Sequence, residues 1–332
     1  MGRDACLVDF WEVGQGDCSV IQLPSGRLLI IDVGPLGSPV VDWVSRYPNR
    51  FIESIIITHN DSDHVGALTS LLHACPRRVG AVHWLVDRDI KDSKIADLYR
   101  YLDQACRNGE ISEVSRLEAP KKLWPKPGVS LAQDIALNLS LDVIHPSMLE
   151  NVGSSTPNIT SGVIVLSAPS GRSVLWAGDT SIKRIAAVAC GRSPSFMLGP
   201  HHGGPTDRKN AEFPRNLVSI APGVVIASAG TNNPHKHPAV SYIKHSINAG
   251  AEFYCTQLTK HCEKPGKLHH VFKGSGHYGL PQTRTGFSCM GTIRLTYNGD
   301  DFQLDDYAVQ KHRTGVEQLC RPKCLRFSRN IG

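Results

Sequence analysis

The chain has 332 residues, 41% hydrophobic and 20% charged, which is ordinary globular composition with length for one large domain or two small ones. No apolar run approaches the roughly 20 residues that span a bilayer, and Met1-Gly2-Arg3-Asp4 leads into a strand-like segment, so a cytoplasmic protein with no membrane contact is expected. A net charge of +6 is compatible with a polyanionic substrate without demanding one, and ten scattered Cys in so large a chain argue against a disulfide framework and for thiols or metal ligands.

Cys6 to Gly14 carries Leu7, Val8, Phe10, Trp11 and Val13 and reads as a strand that ends in Val13-Gly14-Gln15-Gly16-Asp17, where two glycines permit a tight turn. Cys18 to Leu23 and Arg27 to Val33 are apolar strands around the turn Pro24-Ser25-Gly26. Asp32 lies beyond four aliphatic residues at the end of the second strand, either near the ligand-type residues between His59 and His64 or as a turn residue capping the segment after it. Val40 to Tyr47 is a short helix candidate.

The β-branched run Ile55 to Thr58 predicts a buried strand, and it leads directly into His59-Asn60-Asp61-Ser62-Asp63-His64, with a helix from Val65. Alternation at the strand end sends His59, Asp61 and Asp63 the same way, and His64 opens the helix. Two His and two Asp in six positions are costly to bury without a cation, and a mixed nitrogen and oxygen set suits one or two divalent metals.

Ala81 to Val86 then predicts a strand, and Ile95, Leu98, Leu102 and Ala105 fall at helical spacing in a helix over Ser93 to Cys106. The Pro-rich stretch Ala119 to Gly128 reads as a loop whose Lys121, Lys122 and Lys126 are a solvated charge run more readily than a phosphate contact. Further strands are expected at Leu137 to Ile144, Gly162 to Leu166 and Ser173 to Ala177, the last ending in Gly178-Asp179, with a helix at Ile182 to Cys190. Ser195 to Leu198 runs into Pro200-His201-His202-Gly203, and Val224 to Ser228 into Asn233-Pro234-His235-Lys236-His237-Pro238, before a helix at Ala239 to Ile247. The repeating order is strand, ligand-type residues, helix.

Val13-Gly14-Gln15-Gly16-Asp17, Ile31-Asp32-Val33-Gly34, Thr58 to Gly66, Ala177-Gly178-Asp179 and Pro200-His201-His202-Gly203, in that order, resemble the metallo-β-lactamase superfamily. Within it they are similar to the soluble nuclease-like domain of the competence protein ComEC, through the Gly-Gln-Gly-Asp turn, Asp61 in place of the second His of the usual H-x-H-x-D-H motif, and the Asn233 to Pro238 element. The resemblance covers about Ala5 to Ala249. It implies an α+β fold, an αββα sandwich with the metal site at the edge of the two sheets.

It also implies two divalent ions, zinc or manganese. His59 and Asp61 would hold one, Asp63, His64 and an adjacent His the other, and Asp179 would bridge them, with His201 the preferred ligand and His202 facing substrate. Thr156 to Gly162 stands where the wider superfamily carries another His, and Asn158, Thr160 or Ser161 would be a weaker ligand, which leans the site toward manganese. The implied reaction is hydrolysis of a phosphodiester in DNA, RNA or a nucleotide by metal-activated water, with Asp61 or Asp63 orienting that water and Asn233, Lys236 and His237 contacting substrate. The alternatives are hydrolysis of an acyl ester, lactone or thioester, or a non-catalytic sensor of the same fold.

Residues 1–300 are read as the hydrolase domain and 301–332 as an appendage with a basic tail, Lys311, Arg313, Arg321, Lys323, Arg326 and Arg329 facing the single acid Glu317. A second cluster, Cys255, His261, Cys262, His269, His270, Cys289, Cys320 and Cys324, matches no standard finger spacing. A structural zinc on Cys255, Cys262, Cys289 and His270 is weighed against isolated buried cysteines.

Overall fold

The structure is a computed structural model, and it describes residues 5–85, 93–148, 150, 157–206, 212–262, 280, 285–319 and 322–324. Fifteen strands are found among them. The first six are β1 Cys6–Phe10, β2 Cys18–Gln22, β3 Leu28–Val33, β4 Ile52–Ile57, β5 Val79–Trp84 and β6 Ile111–Arg116. The next seven are β7 Lys121–Trp124, β8 Ser140–His145, β9 Val163–Ser167, β10 Ser173–Trp176, β11 Phe196–Leu198, β12 Val224–Ala227 and β13 Glu252–Cys255, and the last two are β14 Ile293–Tyr297 and β15 Phe302–Leu304.

They form two sheets, β15-β14-β1-β2-β3-β4-β5-β6 and β13-β12-β11-β10-β9-β8-β7. In both, antiparallel strands lead into a parallel set: β3 to β6 in the first, β10 to β13 in the second. Parallel strands need covered faces. The mostly apolar sequences of β3, β4 and β5 meet that need, and every residue of the three is buried, the polar Asp32, Glu53, Ser54 and His83 included.

Period-two alternation shows how the second sheet is sandwiched. Ile164, Leu166, Val174, Trp176 and Ile226 join a core that includes Phe10, Ile30, Ile56 and Trp84 of the first sheet. Their neighbours Val163, Val165, Leu175 and Val225 point the other way, onto residues of helices Ile182–Val188, Phe213–Ile220 and Val240–Asn248. Helices Pro39–Ser45 and Leu68–Ala74 pack against each other and contribute Val40, Trp43, Leu71 and Leu72 to the core of the first sheet. The result is the expected αββα sandwich. No helix among the described residues is long and apolar enough to cross a membrane.

Several elements differ from the sequence expectation. The Pro-rich stretch expected as a loop contains β7, an edge strand paired antiparallel with β8; Trp124 is buried, and Lys126 and Lys121 pair with Glu113, so these cations are engaged. Strand β6 escaped notice because its sequence, Ile-Ser-Glu-Val-Ser-Arg, is mostly polar, as befits an edge strand. The helix expected from Val65 is two helices, Ser62–Val65 and Leu68–Ala74.

The segment expected to be an appendage is built into the fold. Phe302–Leu304 extends the first sheet, and Asp305 caps helix Asp306–Glu317 by accepting a hydrogen bond from Ala308 N. Val316 and Leu319 enter the core beneath the second sheet. Cys320, Arg321, Arg326 and Arg329 lie outside the described residues.

Strand β14 is fastened to β1 by the paired Asp9 and Arg294, with Arg294 Nε to Asp9 Oδ1 at 2.6 Å and Nη2 to Oδ2 at 2.8 Å, both residues buried. Removing one partner of a buried pair strands the other charge. Arg294→Leu is therefore expected to lower stability by about 3–5 kcal/mol, read from the urea midpoint.

Candidate metal centre

The carboxyl ends of the parallel strands of both sheets meet at one edge, and the ligand-type residues sit there. Asp32, near the end of β3, adopts a left-handed backbone (φ 53°) that is strained for a residue with a side chain. Its carboxylate accepts from Thr58 N at 2.8 Å and from Thr58 Oγ1 at 2.8 Å, and lies 2.8 Å from His64 Nδ1. Thr58 Oγ1 lies 3.1 Å from His59 Nδ1. Of the two readings of Asp32, the one beneath the cluster holds: it directs both imidazoles so that their Nε2 atoms face away from it.

The second sheet supplies the other half. β10 ends at Ala177-Gly178-Asp179, and β11 leads to His201 and His202, both in left-handed backbone (φ 52° and 53°), with His201 N donating to Gly178 O at 3.0 Å. His202 Nδ1 lies 3.1 Å from Asp17 Oδ1. Asp17 arrives on the Gly-Gln-Gly-Asp turn, which packs on the ligand turn: Asp17 N donates to Asp63 O at 3.1 Å, and any side chain at Gly16 would collide with that carbonyl. Ser228 Oγ, just past β12, donates to Gly16 O at 2.6 Å and braces the turn.

All these side chains converge on Asp179. His64 Nε2 is 3.2 Å from Asp179 Oδ1, while His59 Nε2 and His201 Nε2 lie 3.6 and 3.7 Å from Oδ2. His202 Nε2 is 3.1 Å from Asp63 Oδ2 and 3.9 Å from Asp179 Oδ1, and Asp61 Oδ2 is 3.6 Å from His59 Nε2. Four of these atoms, the Nε2 of His59, His64 and His202 and Oδ1 of Asp179, are buried without a hydrogen-bond partner. Unpaired buried polar atoms are costly, and four aimed at one another fit a shared cation. Two groupings have ligand atoms within 4.8 Å of one another: His59, His64 and Asp179, and Asp17, His64 and His202.

The family model for the metallo-β-lactamase superfamily matches residues 11–205. The chain belongs to this superfamily. A curated relative, "Recombination protein 2" of Haemophilus influenzae, is 26% identical over 252 residues, 74% of this chain but only 27% of that protein. "Hydroxyacylglutathione hydrolase" of Pseudomonas entomophila is 36% identical over 53 residues, 16% of this chain and 20% of that one. The chain thus matches about a quarter or less of the length of either relative. Among solved structures, the fold protein YhfI from Bacillus subtilis shares 11% identity at a TM-score of 0.45, covering 75% of this chain and 96% of its own. Human tRNase Z, short form, shares 13% at 0.41, covering 67% and 92%.

The electrostatics of the superfamily edge arise from its carboxylates. Burial and His64 oppose charge on His59, yet Asp179 and Asp61 outweigh them and raise its pKa to about 9. Burial likewise opposes charge on His202, but Asp17, Asp63 and Asp179 raise it to about 10, and Asp179 and Asp32 raise His64 in the same way. Burial would raise Asp179, but His64 and His59 hold it well below the usual range. Protons on the imidazoles here occupy the place of cationic charge. His201, less enclosed, is lowered by burial, and His237 is lowered to about 4 by burial and by His201, His202 and His235.

The structure brings His59, Asp61, Asp63, His64, Asp179, His201 and His202 together. His202 is the buried one, its Nε2 against Asp63, whereas the side chain of His201 is 30% exposed on the Oδ2 side of Asp179. Ser161 is buried beside Gly178 with its hydroxyl unpartnered. Asn233 is engaged in its own loop, its Nδ2 donating to Gly230 O and His237 O and its Oδ1 accepting from His237 N, which commits both amide hydrogens within the loop. His237 is buried 4.9 Å from the His201 ring, and Lys236 is exposed. Cys255, Cys262 and Cys289 are buried in the core under the second sheet, and His270 lies outside the described residues. Asp17 and Thr58 were not expected as site residues; the only trace of Asp17 was its place in the Gly-Gln-Gly-Asp turn.

Partners that fix the outer nitrogen of a ligating imidazole are worth roughly 10–100-fold in metal affinity. Asp32→Ala should weaken manganese or zinc binding by about that factor in a competition titration with a chromophoric chelator, with the far-ultraviolet circular dichroism unchanged. Metal entry must displace the protons held by His59 and His202, whose pKa values lie at about 9 and about 10. Affinity should therefore rise with pH across the neutral range, with proton release visible as a buffer-dependent heat in calorimetry; a pH-independent affinity would contradict this.

Proposed function

We propose that the centre hydrolyses phosphodiester bonds of DNA, RNA or a nucleotide with two divalent cations. The observation that carries this reading is the placing of buried Asp179, with His64 and His202 near its Oδ1 and His59 and His201 near its Oδ2, where it could serve two ions. His59, Asp61 and His201 with Oδ2 would hold one ion. Asp63, His64 and His202 with Oδ1 would hold the other. In this arrangement His201 offers a nitrogen to an ion whose ligand set lacks the further histidine that the wider superfamily carries in the segment corresponding to Thr156 to Gly162. When bound, two such ions acidify water and neutralise charge developing on a phosphoryl oxygen.

The chain's own groups would do the rest. Asp61, with 45% of its side chain exposed, stands at the mouth, where it can accept a hydrogen bond from the attacking water and orient it. Lys236, exposed on the loop beside His237, would supply positive charge to a phosphate. His237, held neutral at pH 7 with a pKa of about 4, offers a hydrogen bond and no charge. The carboxylate share of the ligand set favours manganese over zinc. The resemblance to the competence-protein branch and the likeness to Recombination protein 2 support a nucleic acid substrate, and the short match to hydroxyacylglutathione hydrolase supports an acyl thioester as the second reading.

The test is cleavage of labelled single- and double-stranded DNA and of RNA by chelated protein resupplied with manganese or zinc, beside a thioester substrate. Metal-dependent cutting that falls to background in Asp63→Ala, and weakens steeply as salt rises, is expected. Intact nucleic acid with thioester turnover that salt leaves unchanged would overturn the nucleic acid reading.

A further inference from the structure

A buried carboxylate lies at the base of the loop that carries Lys236 and His237. Glu12, just past β1, is buried. Its two oxygens accept from Ser288 Oγ at 2.8 and 2.9 Å, and its Oε1 also accepts from Gln257 Nε2 at 3.0 Å. Gln257, just past β13, is buried as well, and its Nε2 donates a second time, to Thr285 O at 2.8 Å.

An ionised carboxylate only accepts, whereas an amide has a donating and an accepting end. Two acceptors at its Nε2 end therefore fix which way the Gln257 amide faces. Its Oε1 is turned to the loop, where it accepts from Thr231 N at 2.9 Å, and Phe287 N donates to Thr231 Oγ1 at 2.8 Å. One residue earlier, Gly230 N donates to Gln15 Oε1 at 3.3 Å, and a side chain at Gly230 would collide with Gln15 N. Beyond this base the loop is braced by Asn233 and returns at His237, whose ring stands 4.9 Å from that of His201.

We propose that Glu12 is a positioning residue for substrate: acting through Gln257, it fixes the base of the loop Gly230 to Pro238, and with it the place of Lys236 and His237 beside the His201 side of the centre. What the loop meets is a phosphate, and in this the role of Glu12 rests on the phosphodiester reading. Glu12→Gln keeps the size of the side chain but can turn a donor toward Gln257 Nε2. The Gln257 amide then turns over and presents N–H groups to Thr231 N–H, and buried donors that face each other leave both unsatisfied.

The test is steady-state cleavage of a labelled oligonucleotide by the full chain loaded with manganese, beside hydrogen exchange of the Thr231 amide. Glu12→Gln should raise KM roughly 2–10-fold, the span of one neutral hydrogen bond, with kcat and manganese affinity kept, and should lower Thr231 protection by a similar factor. Combining Glu12→Gln with Gln257→Glu puts a carboxylate oxygen back against Thr231 N and should restore both. Should Glu12→Gln fail to fold, Gln257→Met, which removes the relay and leaves Glu12 with Ser288, takes its place. Wild-type KM and Thr231 protection in the folded variant, or kcat and manganese affinity falling along with KM, would overturn the proposal. Wild-type protein that cuts no oligonucleotide would contradict the phosphodiester reading instead, and Thr231 protection alone then decides the role of Glu12.

Discussion

A carboxylate buried at a strand end must find hydrogen-bond donors, and Asp32 finds them in Thr58 and His64, all at 2.8 Å. The same contacts tie β3 to the end of β4, hold the backbone of Asp32 in a left-handed conformation, and orient two imidazoles, His64 directly and His59 through Thr58 Oγ1. Asp17 does for His202 what Asp32 does for His64. His59, His64 and His202 thus each have Nδ1 committed to an outer partner and Nε2 turned toward the Asp179 side of the site. The fold of the edge and the chemistry of the edge rest on one set of hydrogen bonds.

The consequence is a pocket in which three imidazole nitrogens and one carboxylate oxygen are buried without hydrogen-bond partners. Asp63 and Asp179 are both held below their usual range although burial pushes each the other way, because His202 and His64 stand against them. Metal-free protein balances that charge with protons on His59, His64 and His202. A dication held by His59, His64 and His202 would take the place of those protons, and the outer partners Asp17 and Asp32 already orient the imidazoles for it. Metal affinity, pH and the outer partners Asp17 and Asp32 are in this sense one problem.

Much of this was legible in the residues. The grouping of His59, Asp61, Asp63 and His64 stems from an apolar strand running into ligand-type residues, a local pattern, whereas the αββα fold was implied by the resemblance that the ordered motifs carry. What escaped was set by contacts distant in the chain. Asp17 meets His202 across 185 positions, and nothing near either residue signals the pairing. Which of His201 and His202 is buried depends on two consecutive left-handed residues, a geometry that the dipeptide does not encode. Asn233 carried a polar side chain at a strand end, as the ligands do, yet it closes its own loop. β6 and β7 were missed for physical reasons too, the first being polar and the second flanked by prolines. The helix at Asp306–Glu317 shows little apolar character beyond Ala308, Val309 and Val316, and burial of its few core residues is what docks it.

The central claim is that Asp179 bridges two cations held by histidines from both sheets. Anomalous diffraction at the manganese edge from crystals grown with manganese tests it most directly. Two peaks are predicted, about 3.5–4 Å apart, on either side of Asp179, one toward His59 and His201 and the other toward His64 and His202. A single peak, or two peaks that leave Asp179 unligated, would contradict it.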